Sequence, residues 1–406
     1  MMHTIWSDCL ASGARQMTSS AIRNMLHVTE QPAIISFAGG LPAPECFPTA
    51  ALTAAAERVL VNQTLAALQY GPTEGYRPLR SLVASQMEQL GLAIPASQVL
   101  ISSGSQQALD LLGKLFLDPQ ALVAVEEPTY LGALQAWRPY RPRFVALPLD
   151  DEGLDVAELS RRLANGLRPR FLYLVSCFQN PTGVTLSPQR RAALIELAAH
   201  YRLPIVEDDP YGALHYDGAR PQPLAALDSA RHGALRHVIY LGTFSKVLAP
   251  GLRVGWIAAP ADLFPKLVQA KQGLDLHTSG LTQTIIVEAC QQGLLEQHLP
   301  QLRSTYCTRR DAMLTALAQS MPAGTRWTQP AGGMFIWVTL SAHLNAATLL
   351  PAALEQQVAF VPGETFYANG GGMRTLRLNF THATPEQIAT GIARLGQTIV
   401  GSASIT

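Results

Sequence analysis

Lysine is scarce in this chain. Of 30 basic residues four are lysines, Lys114, Lys246, Lys266 and Lys271, and the others are arginines. Chemistry that needs a neutralisable amine, such as imine formation with a carbonyl cofactor, has those four candidates. Lys246 follows the apolar run 238–241 at the carboxyl end of a predicted buried strand, inside Thr243-Phe244-Ser245-Lys246. Lysine is rarely buried without cause, so position alone favours a functional amine there. Lys266 and Lys271 fall on an amphipathic helical pattern after Ala261 and read as a solvated face. Lys114 reads as a surface residue of a helix that opens at Ser105.

Other apolar runs end in ordered polar groups. Ile101 leads to Ser102-Ser103-Gly104-Ser105-Gln106, Val175 to Ser176-Cys177-Phe178-Gln179-Asn180-Pro181-Thr182-Gly183, and Val206 to Glu207-Asp208-Asp209-Pro210-Tyr211. A helix start preceded by Ser-Gly-Ser offers free N–H groups, hydroxyls and a favourable dipole, which suits a phosphate, although ordinary capping gives the same pattern. Arg253, with the hydroxyls of Thr243 and Ser245, could complete such a cage, because guanidinium forks match phosphate oxygens. Asp208 and Tyr211 could both reach one ligand around Pro210. Glu207 and Asp209 read as solvated or N-capping carboxylates, and Asn180-Pro181-Thr182-Gly183 alone is a turn signal.

The elements that must position these residues alternate. The runs 121–125, 171–175, 204–206, 238–241 and 254–258 are near-continuously apolar and of strand length, as in a sheet covered on both faces. Helical patterns separate them; Ser187-Pro188 gives an N-cap with proline at the first helical position, and another helix spans 105–116. The fold class is therefore α/β, a large domain with a mostly parallel sheet covered by helices. After Gly332-Gly333 the strand-like runs 334–338 and 375–379 predict a smaller α+β domain. The expected division is 48–304 for the large domain, with 1–47 and 305–406 forming the small one. Ligands of open α/β sheets sit beyond the carboxyl ends of the strands.

Composition narrows the partners. Hydrophobic residues make up 48% and charged residues 15%, enough for a large core, and a net charge of +1 leaves no basic excess for nucleic acid. The uncharged stretch 327–354 is interrupted by Gly332, Gly333, Asn345 and Pro351, which suits a strand and a helix better than a membrane span. No secretory signal is visible at the start. Five scattered cysteines without a C-x-x-C pair argue against a disulfide framework or structural zinc, and for a reducing, cytoplasmic setting.

Taken together the motifs resemble the fold-type-I pyridoxal-phosphate aminotransferases of class I/II, most closely the 2-aminoadipate and kynurenine aminotransferase branch. The likeness runs through Ser36-Phe37-Ala38-Gly39-Gly40-Leu41-Pro42, Gln69-Tyr70-Gly71-Pro72, Gly104-Ser105-Gln106-Gln107, Asn180-Pro181-Thr182-Gly183, Asp208-Asp209-Pro210-Tyr211, Ser245-Lys246 with Arg253, and Arg377-Leu378-Asn379-Phe380. It implies a seven-stranded large sheet and the cofactor pyridoxal 5'-phosphate. It makes Lys246 the imine-forming lysine and general base, and Asp208 the partner of the pyridine nitrogen. Asn180 and Tyr211 would bond the ring oxygen, and Tyr130 would stack on the ring. Gly104, Ser105, Gln106, Thr243, Ser245 and Arg253 would hold the phosphate. Tyr70 would reach the phosphate of a neighbouring subunit, making the enzyme a homodimer with shared sites. Arg377 would clamp the substrate α-carboxylate, while Arg23 and Gly40 would line the substrate entrance. Transamination from an L-amino acid to 2-oxoglutarate is the expected reaction, with lyase, decarboxylase or cyclase chemistry as the alternative. A regulator's effector domain is less favoured, since the resemblance begins within about 20 residues of Met1 and leaves no room for a DNA-binding module. A nicotinamide enzyme would want G-x-G-x-x-G, which is absent.

Overall fold

In this computed structural model, residues 5–17, 31 and 33–403 are described. Their strands are, in chain order, β1 (Ile35–Ser36), β2 (Val99–Ser102), β3 (Leu122–Glu127), β4 (Arg143–Asp150), β5 (Gly153–Leu154), β6 (Phe171–Leu174), β7 (Ile205–Asp208), β8 (Val238–Thr243), β9 (Gly255–Ala258), β10 (Arg326–Trp327), β11 (Phe335–Thr339), β12 (Val358–Ala359), β13 (Val361–Pro362) and β14 (Thr375–Asn379). The large sheet has the order β2-β9-β8-β7-β6-β3-β4-β5. Its five central strands from β4 to β8 form four parallel pairs; β8 is followed by the antiparallel β9, against which β2 runs antiparallel in turn. Setting aside the two-residue β5 folded back on β4, seven strands remain and β9 alone is reversed. The carboxyl ends of β2, β3, β6, β7 and β8 therefore share one edge.

Burial on both faces explains the continuous apolar runs. Phe171 and Tyr173 join one core cluster while Leu172 and Leu174 join another, and Val206 and Ile205 divide in the same way. Each fully buried aliphatic or aromatic side chain contributes roughly 1.5–3 kcal/mol over exposure, so neither face tolerates a polar alternation. The first cluster continues beyond the sheet into Met334, Phe335, Phe360, Leu376 and Leu378. Those residues belong to or adjoin the four-stranded antiparallel sheet β10-β11-β14-β13. β1 pairs in parallel with β12, tying residues 35–36 to the C-terminal part.

The helices begin as their caps dictate. Ser187 Oγ accepts the Arg190 N–H at the start of the Pro188–Tyr201 helix, and the Ser105–Phe116 helix follows Gly104. β4 was not foreshadowed by an apolar run, because its Arg143-Phe144-Val145-Ala146-Leu147-Pro148 sequence is half exposed next to the sheet edge. Lys266 and Lys114 are exposed as expected. Lys271 is not: it has no solvent exposure, because it shares with Leu267 and Ala270 the buried face of the Phe264–Asp275 helix. Among the described residues no helix is long and apolar enough to cross a membrane.

Candidate active site

Three consecutive acids close β7, and they have different surroundings. Glu207 accepts the N–H groups of Leu224 and Ala225 (both 2.9 Å) and the Ser176 hydroxyl (2.6 Å), with Arg191 at 3.6 Å. Asp209 accepts the Gly212 N–H (2.7 Å) and the Tyr240 hydroxyl (2.8 Å) and pairs with Arg220 (3.0 Å). Glu207 caps a helix as expected, but neither acid is solvated: both are buried in closed networks. Asp208 points to the other face of the sheet. Its Oδ2 accepts the Tyr173 hydroxyl at 2.9 Å, and its Oδ1 is buried without a partner. Burial pushes its pKa up to about 7, against the bond from Tyr173 and helped by the Asp209 charge.

Lys246 lies three residues past the end of β8. Its Nζ donates to the carbonyl of Gly40 at 3.0 Å. Burial, and then the charges of Arg377 and Arg253, lower its pKa to about 8. Two arginines thus lie near enough to oppose its protonation.

Arg377, in the middle of β14, is 1% exposed. Its Nη1 donates to Asn180 Oδ1 (2.8 Å) and its Nη2 to the Ala38 carbonyl (2.7 Å), while Nε is buried and unpaired. The guanidinium carbon sits 4.2 Å from the centre of the Phe335 ring and 5.0 Å from that of Phe366. Among the described residues no carboxylate pairs with it, and burial lowers its pKa to about 10. Asn180 Nδ2 donates to the Tyr211 hydroxyl at 3.3 Å, so Arg377, Asn180 and Tyr211 form one chain of contacts.

The start of the Ser105–Phe116 helix supplies the fourth component. Gly104 has φ +83°, and a Cβ there would lie 2.6 Å from Arg253 Nη2, so glycine permits the guanidinium to approach. Arg253 donates to the Ser103 carbonyl (3.3 Å), and Ser105 Oγ is buried without a partner. Gln106 is exposed and donates to the Gly132 carbonyl at 3.2 Å. Thr243 Oγ1 bonds Ser245 Oγ at 2.9 Å and accepts the Ser245 N–H at 3.1 Å, closing the turn before Lys246. The Tyr130 ring covers Gly132; burial raises its pKa, and the charges of Asp208, Arg377 and Arg253 all act on it.

These residues converge at the carboxyl edge of the large sheet, with two exceptions. Tyr70 is 80% exposed, its ring edge-on to His277 at 5.8 Å, and is not brought to the others within one chain. Arg23 lies outside the described residues. Sequence reading missed Tyr173, the partner of Asp208. Its signal is faint, one hydroxyl inside an apolar strand. It also missed Glu126, buried at the end of β3, which accepts the Val175 N–H (3.0 Å) and Gln179 Nε2 (3.1 Å). Gln179 in turn accepts from the Thr182 N–H and hydroxyl, pinning the loop that carries Asn180. At the opposite edge Asp228, His232 and His237 bring potential metal donors together, but the Asp228 carboxylate already accepts the N–H groups of Arg236, His237 and Val238.

The unpaired atoms define what would fit. Asp208 Oδ1 lacks a donor, Ser105 Oγ and Arg377 Nε are likewise unpaired, and among the described residues no carboxylate pairs with Arg377 or Lys246. A phosphorylated, protonatable heteroaromatic aldehyde and an amino-acid carboxylate match that set. The family model described as aminotransferase class I and II matches residues 39–395. A 2-aminoadipate transaminase of Thermus thermophilus is 47% identical over 396 residues, covering 98% of each chain. An aromatic-amino-acid aminotransferase of Thermococcus litoralis is 46% identical over 388 residues, 94% of this chain and 92% of that one. The crystal structure of an α-aminoadipate aminotransferase from Thermus thermophilus, complexed with N-(5'-phosphopyridoxyl)-L-leucine, superposes with a TM-score of 0.93 at 45% identity over 99% of this chain and 100% of that one. The chain belongs to the class I and II aminotransferases, fold-type-I enzymes that use pyridoxal 5'-phosphate.

Proposed function

We propose that the chain takes the amino group from L-2-aminoadipate and from aromatic and branched-chain amino acids and passes it to 2-oxoglutarate in two half-reactions. The relatives' printed substrates support that range. The observation that carries the reading is Arg377, a buried guanidinium without an acidic partner among the described residues, beside an amine of lowered proton affinity. An uncompensated buried charge is costly, so its retention fits a site completed by an anionic substrate.

Pyridoxal 5'-phosphate supplies the electron sink and the transient store for the amino group when bound. Lys246 would hold the cofactor through its amine, and that amine would move the proton at the substrate Cα. With a pKa of about 8 the amine reaches its half-neutral point at mildly alkaline pH, where an ordinary lysine is almost wholly charged, and this brings it towards what a general base needs. Asp208 keeps the ring nitrogen protonated, and ionisation of that carboxyl is favoured again once a cation faces Oδ1. Asn180 and Tyr211 would bond the ring oxygen, and Tyr130 would pack on the ring. Gly104, Ser105, Gln106, Thr243, Ser245 and Arg253 would hold the phosphate. Arg377 would orient the α-carboxylate, and Gly40 would border the side-chain entrance.

A homodimer completes this assignment, Tyr70 of one copy reaching the phosphate site of the other. Exposed Leu60, Val61, Leu65 and Leu68 around Tyr70 support such a contact. Free cysteines are consistent with work in the cytoplasm. The test is a panel of L-amino acids with 2-oxoglutarate and the purified protein, scoring glutamate formation. Transfer from 2-aminoadipate, leucine and phenylalanine is expected. Release of CO2 or of a side-chain fragment without glutamate would instead select the decarboxylase or lyase reading.

A further inference from the structure

A second buried ammonium lies under the anion cradle, and the reaction does not use it. Lys271 Nζ donates to both oxygens of Asp275 (2.8 and 3.0 Å), to Gln107 Oε1 (2.9 Å) and to Thr278 Oγ1 (3.0 Å). Asp275 Oδ2 also accepts from Gln107 Nε2 (2.6 Å) and from the Ser103 hydroxyl (3.1 Å). Gln107 Oε1 accepts the Ser103 N–H at 2.8 Å. Ser103 therefore has its N–H and hydroxyl fixed by this cluster, while its carbonyl accepts Arg253. The next residues are Gly104, whose backbone has a positive φ, and Ser105, whose hydroxyl is left free.

Physical cost singles the cluster out. Each buried ion loses hydration worth several kcal/mol, and apolar replacements of similar volume are often as stable, so a buried ion pair is weak evidence for stability. What it does supply is position: a charge with four acceptors allows few arrangements. Burial opposes ionisation of Asp275, yet hydrogen bonds from Gln107, Lys271 and Ser103 hold its carboxyl below the usual range. The negative charge thus remains on the helix that packs against the cradle, fully paired and unable to repel an anion from within.

We propose that Lys271 is a positioning residue for the phosphate cradle, fixing the Ser103 turn through Asp275 and Gln107 so that the donors at 104–106 face a single anion. This rests on the assignment of that helix start to the cofactor phosphate. The inference is tested on the full chain stripped of cofactor, by measuring dissociation constants for pyridoxal 5'-phosphate and for unphosphorylated pyridoxal. Wild type should prefer the phosphate ester strongly. Lys271→Met should weaken the ester about 10- to 100-fold, as losses of ligand-orienting partners do, with pyridoxal changed less than about twofold. Thr278→Val, which removes one acceptor and carries little folding risk, should give a smaller loss with the same selectivity. If Thr278→Val and Lys271→Met weaken both ligands equally, or keep the full preference for the ester, Lys271 is structural only and the proposal fails. A wild type with no preference for the ester would overturn the cradle assignment instead.

Discussion

Lys246 donates to one carbonyl, that of Gly40, and the charges nearest to it are arginines, whereas Lys271 is surrounded by a carboxylate, an amide oxygen and a hydroxyl. Both amines are withdrawn from bulk water, so burial alone separates nothing. The difference is in completion. Lys271 has four acceptors around it, and Lys246 has a single carbonyl among the described residues. The same contrast recurs within β7, where Glu207 and Asp209 are fully paired and Asp208 keeps a bare oxygen. Unfinished pairing, rather than charge or burial, distinguishes the residues proposed for catalysis.

The hardest test exchanges the two lysines' fates. Lys246→Ala should lower turnover on the order of 10⁴-fold or more, since loss of a nucleophile and base removes a unit of catalysis. Borohydride should then fix no cofactor to the protein, and urea unfolding should show stability equal to or above wild type, because a poorly compensated charge has gone. Lys271→Ala should leave the imine intact but cost about 3 kcal/mol of stability, the low end for a broken buried pair given the partial exposure of Asp275. Equal stability losses in the two variants would erase the distinction.

Arg377→Leu should come next. Truncating one member of a desolvated charge contact costs about 2–5 kcal/mol, so kcat/KM for amino acids and for 2-oxoglutarate should fall roughly 30- to 5,000-fold. The dissociation constant of the cofactor should change little, since the assigned partner is the substrate carboxylate. If cofactor binding fails instead, the charge was completing a different anion.

How far the site was legible follows from the same contrast. Lys246 stood out because lysine is rare here and because it follows a buried strand, and the acids and glycines at the other strand ends were visible for the same reason. The strand runs were readable because both sheet faces are buried, leaving each strand uniformly apolar. Lys271 was misread, since its helical phase with Leu267 and Ala270 indicates the packed face while its type suggests solvent. Tyr173 was overlooked because only its oxygen is polar, and its meaning depends on Asp208 two strand positions farther along the neighbouring strand. Tyr70 could be named from a motif, but a single chain leaves it facing outward.

Within the acidic run, Asp208→Asn should cut kcat roughly 10²-fold, within the range for removal of a preorganised charge, without loss of stability. Asp209→Asn should leave Arg220 and Tyr240 short of an acceptor and lower the unfolding free energy while kcat moves less. Steady-state kinetics and urea titrations on the pair check both signs. A larger kcat defect in the Asp209 variant would locate function in the closed network.

Glu126 gives the smallest and most pointed effect, because it is hydrogen-bonded yet has no cationic partner among the described residues. Burial raises its pKa to about 8 from 4.5, partly offset by the bonds from Val175 and Gln179. The folded chain therefore holds a proton that the unfolded chain releases above pH 4.5. Its contribution is fully present below that value, declines as pH rises towards 8, and stays at its minimum beyond. Glu126→Gln offers the same carbonyl acceptor to the Val175 N–H and Gln179 without an ionisation. The variant should match wild type near pH 5 and exceed it near pH 9 in urea unfolding. The Asp208 charge also raises the Glu126 pKa, so the replacement relieves that repulsion too and adds to the gain at high pH. A variant less stable at pH 9 would mean that Glu126 is ionised in place and belongs with the compensated charges.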